Sequence, residues 1–284
     1  MTDGVALIRE LGRFGVWILG PVSPETAKAI ETLGYGTLWV GGSPSADLSF
    51  AEPILQHTHR LRVATGIVNI WPSPAGQVAQ SFHRIEKAFP GRFLLGVGAG
   101  HREHTEQYSR PFEALVGYLD TLDADGVPLD RRVLAALGPK VLELAAQRSA
   151  GVHPYLTTPT HTRQARELVG PSKLLAPQQA VVLGTDPVAA RAAARPIVDF
   201  YLGLTNYMNN WIRLGFTDED LAKPAGDRLV DAVVAHGSAE EIAHRLNEHV
   251  AAGADHVAIQ VLDPDQLLPT LSDLAGPLGL SARS

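Results

Sequence analysis

Short apolar runs alternate with segments of helical periodicity along most of the chain, and this alternation restricts the fold more than any other feature. Residues 14–19 (FGVWIL), 37–40 (TLWV), 61–70 (LRVATGIVNI), 92–97 (RFLLGV), 132–137 (RVLAAL), 152–157 (VHPYLT), 179–184 (QAVVLG) and 255–262 (DHVAIQVL) read as strands. Most are continuously apolar, the pattern of strands covered on both faces. Between them lie helix-like segments. Ser23 and Pro24 supply an N-cap and a first-turn proline for a helix to residue 33. Val78, Phe82, Ile85 and Phe89 fall on one face of another, opened by Ser73-Pro74. Further helices are expected over 49–59, 111–123, 140–149, 160–169, 187–204, 239–252 and 266–274. Eight strands, nearly all followed by a helix, imply a parallel sheet. Eight such units in 284 residues suit a (β/α)8 TIM barrel better than a doubly wound sheet. The expectation is one domain over 1–284 with short insertions at the C-terminal mouth. Residues 207–228, polar and irregular, read as the main insertion.

Composition narrows the chemistry. The chain has no cysteine, so thiolate catalysis, disulfides and cysteine-bound metal clusters are excluded. Its absence fits a reducing, cytoplasmic setting. With 30 acidic and 24 basic residues, the net charge of −6 argues against a large nucleic-acid footprint. No stretch approaches the about eighteen apolar residues of a membrane helix, and residues 1–13 lack the apolar core of a signal peptide.

In a barrel of this kind the site lies where the strands end at their C-termini. Gly96, Gly98 and Gly100 follow one strand as G-x-G-x-G, which is not the G-x-G-x-x-G of a dinucleotide fold. They read either as a strand kink or as bare backbone approached by a flat ring or a phosphate. His101 and His104 sit in H-R-E-H beside Glu103 and Glu106. They lack the partners a metal site needs and read as solvated loop histidines or, for His101, as a ring or phosphate contact. Gly66-Ile67 interrupts the third strand, which suggests a bulge. Asn69 then shares a face with Ile67, and its amide is suited to a heterocycle edge. Tyr155, Thr157 and Thr158 precede a helix start, where hydroxyls and N–H groups either cap the helix or bind an anion. Gly138-Pro139 offers a second such helix start. No catalytic carboxylate pair stands out.

Taken together, the stretches 27–42 (AKAIETLGYGTLWVGG), 61–71 (LRVATGIVNIW), 90–101 (PGRFLLGVGAGH), 110–123, 136–170 and 237–262 resemble the luciferase-like monooxygenase superfamily. Within it they are most similar to the coenzyme F420-dependent oxidoreductases. The resemblance implies a flavin-like cofactor at the barrel mouth, with F420 expected and FMN the alternative. It implies a non-prolyl cis bond at Gly66–Ile67 behind the ring. It also places Trp17, Gly41, Gly66, Ile67, Asn69, Gly98, Gly100 and His101 around the cofactor, with its phosphate near Gly138, Tyr155, Thr157 and Thr158. Ser43 falls near the substrate face, where relatives often carry an acid or a histidine, so Ser43 and His101 are the candidate catalytic residues and the proton donor is left open. Trp39 and Trp71 are further pocket candidates. The implied activity is hydride transfer to or from a small organic substrate. A reduced-flavin monooxygenase using dioxygen, or a non-catalytic cofactor-binding barrel, are the alternatives. No metal is expected, and relatives imply a homodimer.

Overall fold

The protein is described by a computed structural model covering residues 7, 9–105 and 108–281. Among the described residues eleven strands form one parallel sheet: β1 (Phe14–Leu19), β2 (Thr37–Gly41), β3 (Arg62–Thr65), β4 (Val68–Asn69), β5 (Phe93–Gly98), β6 (Arg132–Leu134), β7 (Gly151–Val152), β8 (Leu174–Leu175), β9 (Gln178–Leu183), β10 (Val234–Gly237) and β11 (Val257–Val261). Their order is β10-β9-β11-β1-β2-β3-β5-β6-β7-β8, with β4 beside β5. The sheet curls. Its two limbs are joined by chain: β8 pairs with β7, and two residues later β9 pairs with β11. Gln178 N bonds Pro154 O at 2.8 Å, while Ala258 N bonds Pro177 O at 2.9 Å, so the bend at Ala176-Pro177 touches both limbs.

Helices α1 (Pro24–Thr32), α2 (Ala51–His57), α3 (Ala75–Ala88), α4 (Pro111–Ala124), α5 (Pro139–Arg148), α6 (Pro159–Val169), α7 (Pro187–Tyr201), α8 (Thr205–Arg213), α9 (Asp227–Val233), α10 (Ala239–Ala251) and α11 (Leu267–Ala275) complete the fold. Strand alternation divides the core as period 2 requires. On β1, Phe14, Val16 and Ile18 join the layer between sheet and helices. Trp17 turns to the other side, the interior of the curl. There Trp17 registers with Trp39, Trp39 with Ala64, and Ala64 with Leu94. Two indoles fit because several of their neighbours in this interior are small: Ala64, Ala150, Ala176 and Ala258.

Local signals explain the helix ends. Ser23 accepts from Thr26 N at the start of α1, and Ser238 with Glu241 forms a full capping box on α10. Four expectations are corrected. The strand expected over 152–157 ends at Val152, because the chain turns away at His153-Pro154. The strand over 132–137 ends at Leu134. The helix over 187–204 stops at Tyr201. The insertion at 207–228 is irregular only in part: residues 205–213 and 227–233 are α8 and α9, leading into β10, and 214–226 between them are turns and loop. Tyr207 and Trp211, four apart, anchor α8 in a second apolar core with Val198, Leu202 and Leu229. Among the described residues no helix is long and apolar enough to cross a membrane, and no group of three or more His, Asp and Glu side chains could hold a metal ion.

One buried carboxylate secures the entry to β3. Glu31 Oε1 accepts from His59 N, Arg60 N and Leu61 N at 2.9, 2.6 and 2.8 Å. Burial alone would raise its pKa. The three amides and the nearby Arg92 guanidinium outweigh that and hold it below the ordinary carboxylate value. The carboxylate therefore contributes stability that is present above its unfolded pKa and is lost as pH falls through the lower folded one. Glu31→Gln is expected to lower unfolding stability by about 1–3 kcal/mol at neutral pH. Urea titration between pH 7 and 3 checks this, and the variant should lose less stability over the acid limb than the wild type.

Candidate functional site

The C-terminal ends of the strands surround a cavity of about 580 Å³. Its inner wall is Trp17, Gly66, His153 and Tyr155. Its sides are Asn69 at the end of β4 and the turns after β2 (Gly42, Ser43), β5 (Ala99, Gly100, His101) and β6 (Ala135 to Gly138). Tyr201 from α7 and Asn206, Tyr207 and Asn209 from α8 cover it. Among the described residues, the charged side chains lining it are Lys140 and Arg213, both basic.

Trp17 organises the wall. Its Nε1 donates to Gly66 O at 3.2 Å, and its ring lies 5.1 Å from that of Tyr155. A Cβ on Gly41 would fall within the indole ring, and one on Gly66 would lie 2.6 Å from Nε1. Glycine is therefore required at both positions by the indole. The Gly66–Ile67 bond is cis, as expected, and the third strand accordingly divides into β3 and β4. Ile67 points toward β5, where Gly98 makes room: a Cβ on Gly98 would lie 3.1 Å from Ile67 Cδ1. Gly100, at φ +61°, makes room for the Asn69 amide, whose Oδ1 accepts from Trp71 N at 3.2 Å.

Tyr155 Oη donates to Gln260 Oε1 at 2.7 Å, which also accepts from Gln178 Nε2 at 2.7 Å. Burial, with Tyr201 and Tyr207 nearby, pushes the Tyr155 phenol well above its ordinary pKa, so it stays protonated. Tyr201 and Tyr207 stack edge to face at 4.5 Å, and His101 lies 5.7 Å from Tyr207. Glu103 anchors this roof. Its Oε1 accepts from Thr205 N at 3.0 Å and Thr205 Oγ1 at 2.7 Å, capping α8 from the turn after β5. Those two bonds hold its carboxyl below the ordinary value.

Of the residues singled out in the sequence, Trp17, Ser43, Gly66, Ile67, Asn69, Gly100, His101, Gly138 and Tyr155 line the cavity. Gly41 and Gly98 lie behind it. The expected phosphate cradle is divided. Gly138 and Tyr155 face the cavity, Thr157 is fully buried elsewhere, and Thr158 caps α6 through His161 N and lines a separate surface depression with Thr160 and Arg163. Trp39 is also displaced: it is inside the curl, stacked on His153 at 4.1 Å and donating to His256 Nε2 at 3.0 Å. Trp71 packs on Tyr108 and donates to Ala99 O at 2.7 Å. Glu106 and the side chain of His104 lie outside the described residues. His153, Arg213, Lys140 and the roof tyrosines Tyr201 and Tyr207 line the cavity without being singled out by sequence pattern. His153 falls in the interior of the strand expected over 152–157, and the i, i+4 pair Tyr207 and Trp211 is the sequence signal for α8.

Residues 23–122 match the model of the luciferase-like monooxygenase family. The resemblance read from the sequence therefore holds over this segment. The 4-hydroxyprotoasukamycin monooxygenase of Streptomyces nodosus subsp. asukaensis is 34% identical over 83 residues, 27% of this chain and 22% of that protein. The chain thus matches about a fifth of that relative's length. The fold extends much further. A solved F420-dependent secondary alcohol dehydrogenase, held with an F420-acetone adduct, superposes with a TM-score of 0.76 at 17% identity over 96% of this chain and 99% of that one. The FMN-bound oxygenating constituent of 3,6-diketocamphane monooxygenase from Pseudomonas putida gives 0.70 at 11% identity over 96% and 99%. The chain has the α/β fold of these enzymes, with its curled parallel sheet.

Gly41→Ala forces the indole of Trp17 out of its seat. Overpacking of this kind costs about 1–3 kcal/mol. The expected result is a lowered melting temperature together with altered tryptophan emission; an unchanged spectrum and melting temperature would show that the indole has room to spare.

Proposed function

We propose that the chain is a coenzyme F420-dependent oxidoreductase of the luciferase-like class, moving a hydride between the deazaflavin and a small organic substrate. On this reading the curled sheet closes through the bend at Ala176-Pro177 into a (β/α)8 barrel, and the cavity is its C-terminal mouth. The observation that carries the reading is the cavity's make-up. It combines a glycine in the inner wall at Gly66, an aromatic roof, no lining carboxylate among the described residues, and basic groups at one end. A flat, anionic ligand suits that distribution of shape and charge.

The residues present fit the cofactor. Gly42 and Gly66 line the cavity without a side chain of their own, and a Cβ on Gly138 would meet nothing nearer than Arg213 at 3.9 Å. Gly138 with Lys140 and Arg213 would hold the anionic tail at the start of α5. Ile67 and Trp17 would back the ring, and the Asn69 amide N–H is available to its edge. When bound, the cofactor supplies the hydride chemistry itself. The chain then orients the ring, excludes water beneath Tyr201 and Tyr207, and moves a proton at the substrate. Ser43 Oγ and the His101 imidazole are the cavity-lining groups suited to that proton, since the Tyr155 phenol is held protonated and committed to Gln260.

A second reading, an FMN-dependent monooxygenase using dioxygen, is favoured by the local identity with the Streptomyces monooxygenase. Cofactor binding separates the two. The purified protein, titrated with coenzyme F420 and with FMN while cofactor fluorescence is followed, is expected to bind F420 at least about tenfold more tightly, a difference of about 1.4 kcal/mol. Tighter FMN binding would overturn the F420 assignment in favour of the second reading. Arg213→Ala is expected to weaken binding of either by roughly tenfold through its anionic tail, the cost of losing one charge-assisted contact.

A further inference from the structure

His153 lines the cavity, and one of its buried ring nitrogens makes no hydrogen bond among the described residues. The residue is 2% exposed, and its Nε2 makes no hydrogen bond. Its Nδ1 lies 2.7 Å from Ala176 O. A carbonyl only accepts, so Nδ1 carries the proton and Nε2 presents a lone pair. The ring cannot turn to hide that lone pair. One face is stacked on Trp39 at 4.1 Å with an interplanar angle of 8°. Trp39 is itself fixed by donating to His256 Nε2, whose Nδ1 in turn donates to Gly12 O at 2.6 Å. Nε2 therefore stays at the inner wall beside Gly66, where a Cβ would approach it to 3.2 Å. Burial, slightly offset by the Ala176 bond and reinforced by His256, lowers its pKa to about 4, so the ring is neutral near pH 7. A buried acceptor without a donor is costly and is normally satisfied.

We propose that His153 Nε2 is the acceptor for the imide N–H of the bound ring, a group that flavins and deazaflavins share, and so sets which edge of the ring faces inward. This rests on the proposed function. The contact makes His153 a positioning residue: it accepts only from a donor and leaves a ligand with a carbonyl or carboxylate at that edge unpaired.

The test is a binding cycle with coenzyme F420, FMN, and the version of each methylated at the imide nitrogen. Wild-type protein is expected to bind the methylated ring about tenfold more weakly, the worth of one buried hydrogen bond. His153→Asn retains a donor for Ala176 O but removes the acceptor. It should bind the parent ring about tenfold more weakly and no longer discriminate against methylation. His153→Gln, which returns an acceptor to the same region, should recover most of the loss. With 15N-labelled histidine, the unprotonated Nε2 resonance of wild-type protein should shift on cofactor addition. If wild type and His153→Asn discriminate equally, or the Nε2 resonance does not move when the cofactor binds, this inference is overturned while the proposed function stands. If wild-type protein binds neither cofactor, the proposed function fails first and takes the inference with it.

Discussion

The seat of Trp17 is the constraint on which the site depends. An indole inside a strand-lined curl needs space that three or four strands must give up together. Here β2 gives it at Gly41 and the turn after β3 gives it at Gly66. The Nε1 bond to Gly66 O then ties β1 to the bulge that ends β3. The wall beneath the cavity is thus flat and bare on one side of the indole, and packed against Tyr155 on the other. Side chains on the neighbouring strands follow from that choice. Ala64 and Ala258 stay small, and Trp39 turns deeper to stack on His153. What the upper layer of the interior loses in side chains becomes room for a ligand.

A second dependence runs through the roof. Apolar residues from Ala194 to Val234, with Leu156 and Ala180, form their own cluster that includes the roof residue Tyr207, and Glu103 clasps the start of α8 from the turn after β5. The clasp joins two segments 102 residues apart, so the wall at Gly100 and His101 and the cover at Tyr207 are positioned together. Below the roof, the Tyr155–Gln260–Gln178 set pairs its polar atoms with one another.

Much of the fold was legible because continuous apolar strands and capped helices announce themselves locally. The Ser23-Pro24 start and the Gly66-Ile67 break fell where the residues indicated. The misplacements share one physical origin: local pattern was overridden by tertiary packing. VHPYLT reads as a strand by composition, yet Pro154 and the φ of +48° at Leu156 turn it into the cavity wall. TNYMNNWIR has poor helix propensity throughout, and becomes α8 because Tyr207 and Trp211 are buried. Glycines at 66, 100 and 138 line the cavity, as their place at strand ends indicates. Gly41, Gly66, Gly98 and Gly100 each also make room for a neighbour's side chain, which only the packing of Trp17, Ile67 and Asn69 reveals. Thr157 and Thr158 had the chemistry of an anion site, but one is buried and the other caps its own helix. His153 carried no sequence signal apart from the proline beside it, because its role comes from the unpaired nitrogen and the ring stacked behind it.

The most direct measurement is a crystal structure of the cofactor-loaded protein. The account predicts ring density in the cavity against Gly66 and Ile67, with Trp17 behind it, His153 Nε2 at hydrogen-bond distance from the ring, and the anionic tail beside Gly138, Lys140 and Arg213. A ring bound in the depression at Thr158, Thr160 and Arg163, or one lying in the cavity with its tail directed at Trp17, would contradict it.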